Sequence, residues 1–428
     1  MSEQKPIRVV VTGIGVVAPN GNDKESYAKA LKDGVSGIAY IDRLEEMKFS
    51  CRVGGIPKGA IEKAPEYFSS EELLAMNESM IYAGIASIDA FRDAGLKIPD
   101  RTEDFVYEDT GAILGTGIGG MDTFANDVYP QVAAGKVRRL GSTIVERIMM
   151  SATSAKIGGV LALGNQVTTN SAACSTGTEA IIMGSDRIRA GLAKRMVVGG
   201  SEGSDPHTWS GFDSMRVLNR KFNDRPTEAS RPMSASAAGF IPGSGSGVVV
   251  LEELETALAR GARIYAEVAG TSLNSGGMRF GGSMTAPSAK GVQRCIRQAV
   301  LDAGISPDDV DYINGHLTAT MADPMEVNNW AQALERKPEN FPAINSTKSM
   351  IGHSLGASGS LETVATLLQM DQGFVHGSLN CEDLHPKIEP WGASVVHESR
   401  QTRINVAAKA SFGFGDVNSC IILKRLEK

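Results

Sequence analysis

Short runs of β-branched residues alternate along this chain with longer stretches of helical period, and that alternation restricts it to the α/β class. Arg8-Val-Val-Val-Thr-Gly reads as a strand, 23–32 as a helix, 70–94 as one long helix and 111–115 as a strand. A helix starts near Cys174, with strands at 195–199 and 247–251. The second half repeats the style, with strands at 264–268, 311–314, 343–346 and 418–423 and helices at 290–303, 324–334 and 357–370. Cys174-Ser-Thr-Gly-Thr-Glu-Ala-Ile in one half is echoed by Gly356-Ala-Ser-Gly-Ser-Leu-Glu-Thr-Val in the other; both lead small residues into a helix. The pattern predicts two similar halves, 1–255 and 256–428, each a strand-rich layer covered by helices. No Pro-, Ser- or charge-rich linker divides them, so they should pack into one body.

Composition narrows the function. The chain has 428 residues, 42% of them hydrophobic, enough for a large core. No apolar run reaches the roughly 18 residues of a membrane span, and MSEQKPIRVVVTG lacks the layout of a secretory signal, so a cytoplasmic protein is expected. Five cysteines (51, 174, 295, 381 and 420) include no CxxC pair, which suggests neither a disulfide framework nor a zinc site. A net charge of −6 argues against a general nucleic-acid binder and leaves a local basic patch open. The 48 glycines are dispersed, suggesting tight turns and close backbone approaches.

A thiol at a helix start gains thiolate character from the helix dipole and free N–H groups. Cys174 reads as such a residue, and Ser171, Ala172, Ala173, Ser175 and Gly177 keep the backbone around it open; a buried structural thiol is the competing reading. Of six histidines, His207, His376, His385 and His397 read as structural or solvent-facing. His316 follows the strand Tyr312-Ile-Asn-Gly, at the strand end where open α/β sheets place ligands. His353 lies in Lys348-Ser-Met-Ile-Gly-His-Ser-Leu-Gly-Ala, a turn feeding a helix. An exposed thiol with two histidines at loop edges is the inventory for acyl transfer followed by stabilisation of developing negative charge. Lys348 and Glu362 could fix the surroundings of His353, or form an ordinary surface pair. Ser411-Phe-Gly-Phe-Gly-Asp reads as a mobile turn or a simple hairpin.

Taken together, these segments resemble the β-ketoacyl-[acyl carrier protein] synthases of the synthase I and II type, condensing enzymes of the thiolase superfamily. The specific parts are Ser171-Ala-Ala-Cys-Ser-Thr-Gly, Lys348 through Gly-His-Ser-Leu-Gly-Ala, and Ser411-Phe-Gly-Phe-Gly; Asp323-Pro-Met-Glu, Gly115-Thr-Gly-Ile-Gly-Gly-Met and Ala229-Ser-Arg-Pro add support. The resemblance implies duplicated halves in five α/β/α/β/α layers, a homodimer, and no metal, nucleotide or other cofactor, the substrates riding on the phosphopantetheine of acyl carrier protein. It implies that Cys174 is the nucleophile and that His316 and His353 assist decarboxylation and stabilise the enolate, with Lys348 and Glu362 supporting them. The N–H groups of Cys174 and Phe414 would form an oxyanion hole, and Phe414 a gate. Thr318 and Thr320 would contact pantetheine, and Ile118, Phe212 and Phe412 the acyl chain.

Departures accompany the likeness. His316-Leu-Thr-Ala-Thr replaces His-Gly-Thr-Gly-Thr, which suggests a narrowed pantetheine path. Met233-Ser-Ala-Ser-Ala-Ala-Gly-Phe replaces a charged stretch, Ser244 stands for a glutamate, and Asp416-Val-Asn for Gly-Thr-Asn, all suggesting lost polar contacts. Ser69-Ser-Glu-Glu stands where arginines are frequent, leaving Lys136, Arg138, Arg139 and Arg216 as the expected landing surface for an acidic carrier protein. The rival readings are a polyketide or polyene ketosynthase working with a related subunit as a heterodimer, a non-catalytic chain-length-factor-like subunit, and a thiolase using Cys420.

Overall fold

The computed structural model describes residues 6–426. Ten strands form the central framework: β1 (Val9–Val17), β2 (Thr110–Gly115), β3 (Val167–Thr168), β4 (Arg195–Glu202), β5 (Gly245–Glu253), β6 (Ala266–Ser275), β7 (Tyr312–Asn314), β8 (Ala343–Asn345), β9 (Val406–Gly413) and β10 (Val417–Lys424). The first five run in the order β3-β2-β4-β5-β1 and the last five in the order β8-β7-β9-β10-β6. In each set the first three neighbours are parallel and the last two junctions antiparallel. The sets meet where Val10 pairs with Glu267 and Val11 with Ala266.

Six helices complete the layers: α1 (Glu78–Asp93), α2 (Ala152–Leu161), α3 (Thr176–Arg189), α4 (Ala289–Asp302), α5 (Asp323–Ala333) and α6 (Ser358–Gln372). Helices α1 and α2 cover the first set of strands and α4 covers the second, with α5 packed against it. Helices α3 and α6 lie between the two sets and touch each other. The result is a thiolase-like body of duplicated α/β halves in five layers.

The local chemistry explains most boundaries. Asp23 caps the helix Lys24–Asp33, and Ser288 caps α4 by accepting the Gly291 N–H. The single helix expected over 70–94 is two, Ser70–Leu74 and α1, because the Asn77 side chain accepts the Met80 N–H and starts a new helix. The strand expected at 264–268 runs on to Ser275, paired with β10 throughout. The 411–416 segment is a tight hairpin between β9 and β10, the second of its two readings.

The polar α6 is buried along almost its whole length. Its hydroxyls turn inward: Thr363 donates to the Gly359 carbonyl at 2.7 Å and Thr366 to that of Glu362 at 2.8 Å. Two glycines let α3 and α6 approach. A Cβ on Gly177 would lie 2.8 Å from the Ser360 nitrogen, and one on Gly359 would lie 2.1 Å from Thr178 Oγ1 and 2.7 Å from its nitrogen. The residues after the glycines are also reciprocal, since Ser360 Oγ accepts the Gly200 N–H of β4 at 3.0 Å and Thr178 Oγ1 meets Ser411 Oγ of β9 at 2.8 Å. The sequence echo is therefore a paired helix crossing. No helix among the described residues is long and apolar enough to cross a membrane.

Gly359→Ala should lower thermal stability by about 1–3 kcal/mol through overpacking. Gly159→Ala, at an exposed site on α2 with open space around the added methyl, should raise it by about 0.5–1 kcal/mol. Thermal unfolding of both variants checks the pair; a neutral Gly359→Ala would mean that the crossing is not tight.

Candidate active site

The Cys174 thiol sits on an elbow just before α3. Ala173 has φ 47°, a left-handed backbone that costs a non-glycine residue energy and turns the chain sharply. Thr176 Oγ1 braces the turn, accepting the Ala172 N–H at 2.8 Å and donating to the Ala173 carbonyl at 2.6 Å. The β9–β10 hairpin presses on the elbow, so close that a Cβ on Gly413 would lie 2.8 Å from the Ala172 oxygen. Ser175 Oγ donates to the carbonyls of Ser411 and Val417. Beyond Gly413, the Phe414 backbone N–H lies near enough to the thiol to favour its charged form. The helix start does not lower this thiol's pKa. Cys174 is 7% exposed, and burial pushes it up to about 11, against the pull of the Lys348 ammonium. The exposed, activated thiol expected from sequence is thus a buried and protonated one.

Both imidazoles stand beside one another, ring centres 5.4 Å apart and nearly perpendicular. His316 follows β7, and Glu326 of α5 positions its backbone by accepting the N–H groups of His316 at 2.6 Å and Leu317 at 2.7 Å. The Lys348 ammonium lies 3.4 Å from His316 Nδ1. His353 Nδ1 accepts the Leu355 N–H at 3.1 Å and lies 2.9 Å from Ser358 Oγ. Cationic or N–H donors at both Nδ1 atoms leave each proton on Nε2. Burial, with the positive charge of Lys348, holds both imidazoles well below their ordinary pKa, hence neutral. The site therefore offers two neutral N–H donors.

Lys348 and Glu362 form an ion pair, and both are buried, which removes the surface-pair reading. Glu362 also meets Lys409 of β9 at 2.8 Å. Aromatic rings run through the site from Phe414 to Phe212, Phe240, His353, His316 and Phe412, with successive centres 5.0–6.1 Å apart. Phe412 is placed edge-on to His316. Ile118 is half-buried, and its turn is tied to the start of α6 by Glu202, which accepts the N–H groups of Gly117, Ile118 and Gly356 at 2.9–3.0 Å.

Thr318 and Thr320 face one another at 3.0 Å, and Asp323 accepts the N–H groups of 318, 319 and 320. The two residues that stand for glycines are both buried. Leu317 is buried in the core with Val327 and Trp330, while Ala319 is fully buried and keeps a left-handed φ of 62°. Thr320 borders a cavity of about 730 Å³ lined also by Met233, Ala235, Met325 and Trp391. The 233–238 segment retains polar anchors: Ser234 bonds Asp383, the Ser236 N–H reaches it at 2.9 Å, and Arg231 at 3.2 Å. Ser244 donates to the Gly55 carbonyl at 3.1 Å, and Asp416 accepts the N–H groups of Met278 and Ser288. The expected loss of polar contacts is a replacement.

Other expected residues lie outside this cluster. Lys136, Arg138 and Arg139 are exposed on the segment ending in the turn Val137–Arg139, and Arg216 is exposed just past the helix Pro206–Ser214 that carries Phe212. None of the four belongs to an ion pair among the described residues. His207 pairs with Asp205, His397 meets Cys381 Sγ, His376 is buried against Thr347, and His385 accepts the Lys387 N–H. Cys420 is buried within β10, and burial holds it well above the ordinary thiol range. No group of three or more His, Cys, Asp or Glu side chains among the described residues could hold a metal ion.

Residues 7–257 match the family described as Beta-ketoacyl synthase, N-terminal domain, and residues 265–382 match Beta-ketoacyl synthase, C-terminal domain. The chain belongs to the β-ketoacyl synthase family. It is 36% identical to the chloroplastic 3-oxoacyl-[acyl-carrier-protein] synthase I of Arabidopsis thaliana, over 97% of this chain and 86% of that protein. It is 35% identical to 3-oxoacyl-[acyl-carrier-protein] synthase 2 of Synechocystis sp., over all of both. Among solved structures, a β-ketoacyl synthase from Burkholderia phymatum superposes with a TM-score of 0.90 at 27% identity, covering 98% of this chain and all of that one. The ishigamide ketosynthase/chain length factor gives 0.88 at 28%, covering 99% and 100%.

Sequence reasoning assigned Lys409 and Phe240 no site role, and it named Asp323 and Glu326 only as the ends of a supporting motif, without a contact to make. Lys409 had a signal, as a lone charge inside Val406-Ala-Ala-Lys-Ala-Ser-Phe. Asp323 and Glu326 had one in their i, i+3 spacing; Phe240 had none.

Because burial keeps the Cys174 thiol protonated, its alkylation by iodoacetamide should speed up about tenfold per pH unit between about pH 6 and pH 9. Mass-resolved modification of Cys174 checks this, and a plateau below about pH 8 would contradict it.

Proposed function

We propose that this member of the family condenses an acyl thioester held on Cys174 with malonyl-[acyl carrier protein], extending a fatty-acid or polyketide chain by two carbons. The observation that supports the reading is the pair of adjacent imidazoles, whose Nδ1 atoms face the Lys348 ammonium and the Leu355 N–H and so leave Nε2 as the donor, with the buried Cys174 thiol close enough to feel the Lys348 charge.

In the first stage the Cys174 sulfur attacks the carbonyl of the acyl-pantetheine thioester. The thiol proton passes to the departing pantetheine sulfur, and the N–H groups of Cys174 and Phe414 receive the oxyanion. In the second, the malonyl thioester carbonyl accepts the Nε2–H groups of His316 and His353. The bond to the carboxylate breaks, carbon dioxide leaves, and its electron pair becomes an enolate whose charge those donors stabilise. The enolate carbon attacks the acyl carbonyl, and the Cys174 sulfur leaves and takes a proton from solvent water. Neutral donors suit this step, since an imidazolium would cost more to keep buried. Thr318 and Thr320 would hold the pantetheine at the side of the 730 Å³ cavity. Phe414 and Phe212 would gate the site, and Ile118, Phe212 and Phe412 would face the acyl chain.

The carrier protein would land on Lys136, Arg138, Arg139 and Arg216. Phe124, Tyr129, Val132, Val137, Val145 and Met149 are exposed on the 121–150 segment, an apolar surface suited to a second copy of the chain. A related subunit could occupy the same surface. The likeness to the ishigamide ketosynthase/chain length factor favours that second reading, a polyketide or polyene pathway. The N- and C-terminal halves, 1–255 and 256–428, would then supply the nucleophile and the two histidines respectively.

Intact-protein mass after incubation with acyl-carrier proteins of different length and saturation tests the covalent step. Cys174→Ala should show no acyl adduct and no condensation. His316→Ala or His353→Ala should still form the adduct while condensation falls by about 10²–10³-fold, the usual loss for one removed donor. Full condensation in either histidine variant would overturn the assignment.

A further inference from the structure

Lys409 is one of the largest fully buried side chains of the molecule, set in the middle of β9. Strand alternation places Ala408, Ala410 and Phe412 in the apolar core and turns Lys409 and Ser411 to the opposite face, toward α6 and α3. Its ammonium lies 2.8 Å from Glu362 Oε2 in an ion pair, and it donates hydrogen bonds to Ser411 Oγ at 3.2 Å and to the Ala410 carbonyl. Glu362 Oε1 is held by Lys348. The carboxylate is thus shared, one oxygen to each lysine.

This arrangement has a geometric consequence. The Lys348 ammonium makes two contacts, Glu362 and His316 Nδ1. A buried carboxylate with one unpartnered oxygen would rotate to take both oxygens to its only cation, and that rotation would draw Lys348 away from His316. Lys409 blocks it. Charge points the same way, because two lysines and one glutamate leave a buried excess of one positive charge beside two imidazoles.

We propose that Lys409 is a positioning residue for condensation: by holding Glu362 Oε2 it fixes Lys348 against His316 Nδ1, so that His316 keeps its Nε2 proton aimed at the reacting carbonyl. The proposal rests on the condensing function set out above.

The variants are Lys409→Met, which keeps length and volume without charge, Glu362→Gln, and the double substitution. The readouts are acyl loading of Cys174 by intact mass, kcat and KM for malonyl-carrier protein, and the pH profile of kcat. Lys409→Met should load its acyl chain as the parent does and keep KM within about threefold, while kcat falls about 10–100-fold, the usual loss for a group that orients an active-site residue. The charged and titratable groups around the two imidazoles are Lys348, Lys409, Glu362, Glu326, Glu202 and the Cys174 thiol. Removing one cation from this set raises the imidazole pKa values, so the acid limb of the kcat profile should move to higher pH. The double variant should be no slower than Glu362→Gln alone, because Lys409 acts through that carboxylate. If Lys409→Met does not fold, comparison of the double variant with Glu362→Gln carries the test. An unchanged kcat and acid limb in Lys409→Met, or losses that multiply in the double variant, would overturn the proposal. Failure of the parent protein to load an acyl chain would instead overturn the function on which it rests.

Discussion

Everything in the active site depends on how closely α3 and α6 cross. Gly177 and Gly359 bring the helix starts within backbone contact, and each is followed by a hydroxyl residue that reaches a strand of the opposite half. Cys174 immediately precedes one helix, and His353, Lys348 and Glu362 precede or lie on the other. Any bulk at the crossing would separate Cys174 from the two imidazoles proposed to serve it as donors. Duplication of the fold is thus more than architectural economy, since a site of this kind needs two helix starts at one point and the repeated halves provide them.

Burial at that point sets the electrostatics. Desolvation raises the thiol's pKa and lowers those of the two imidazoles, so all three resting groups are neutral. The permanent charge is carried one layer back, on Lys348, Glu362 and Lys409, where each ion is paired. Removing Glu362 from this set would leave two buried lysines uncompensated, a loss that typically costs about 3–5 kcal/mol. One member of the set, Lys348, also faces His316 Nδ1 and fixes that imidazole's tautomer.

Much of this was legible in the sequence, for physical reasons that differ by residue. Apolar runs such as Val9–Val17, buried on both faces, located most strands and helices, but β3, β9 and α2 were missed, β9 because Lys409 interrupts its apolar run and its end was read as a turn. The elbow and the two histidine segments were legible because small residues and ordered motifs surround them. Burial was not. The thiol looked exposed and Lys348–Glu362 could be a surface pair, because local sequence does not reveal that the crossing seals both from water. The break at Asn77 was missed because a capping side chain outweighed a continuous helical pattern, and Lys409 was missed because its partner lies 47 positions away in the chain. Nor could the sequence show that Leu317 packs into the core and that Ala319 is fully buried.

The central claim is that His316 and His353 act as neutral donors through Nε2. Nitrogen-15 NMR of the protein labelled in its histidines reads this directly, with His316→Ala and His353→Ala supplying the assignments. The account expects both imidazoles to be protonated on Nε2 and bare on Nδ1 at neutral pH, and to stay so well below the ordinary imidazole midpoint of about 6.5. An imidazolium at either position at neutral pH, or a proton on Nδ1, would contradict it.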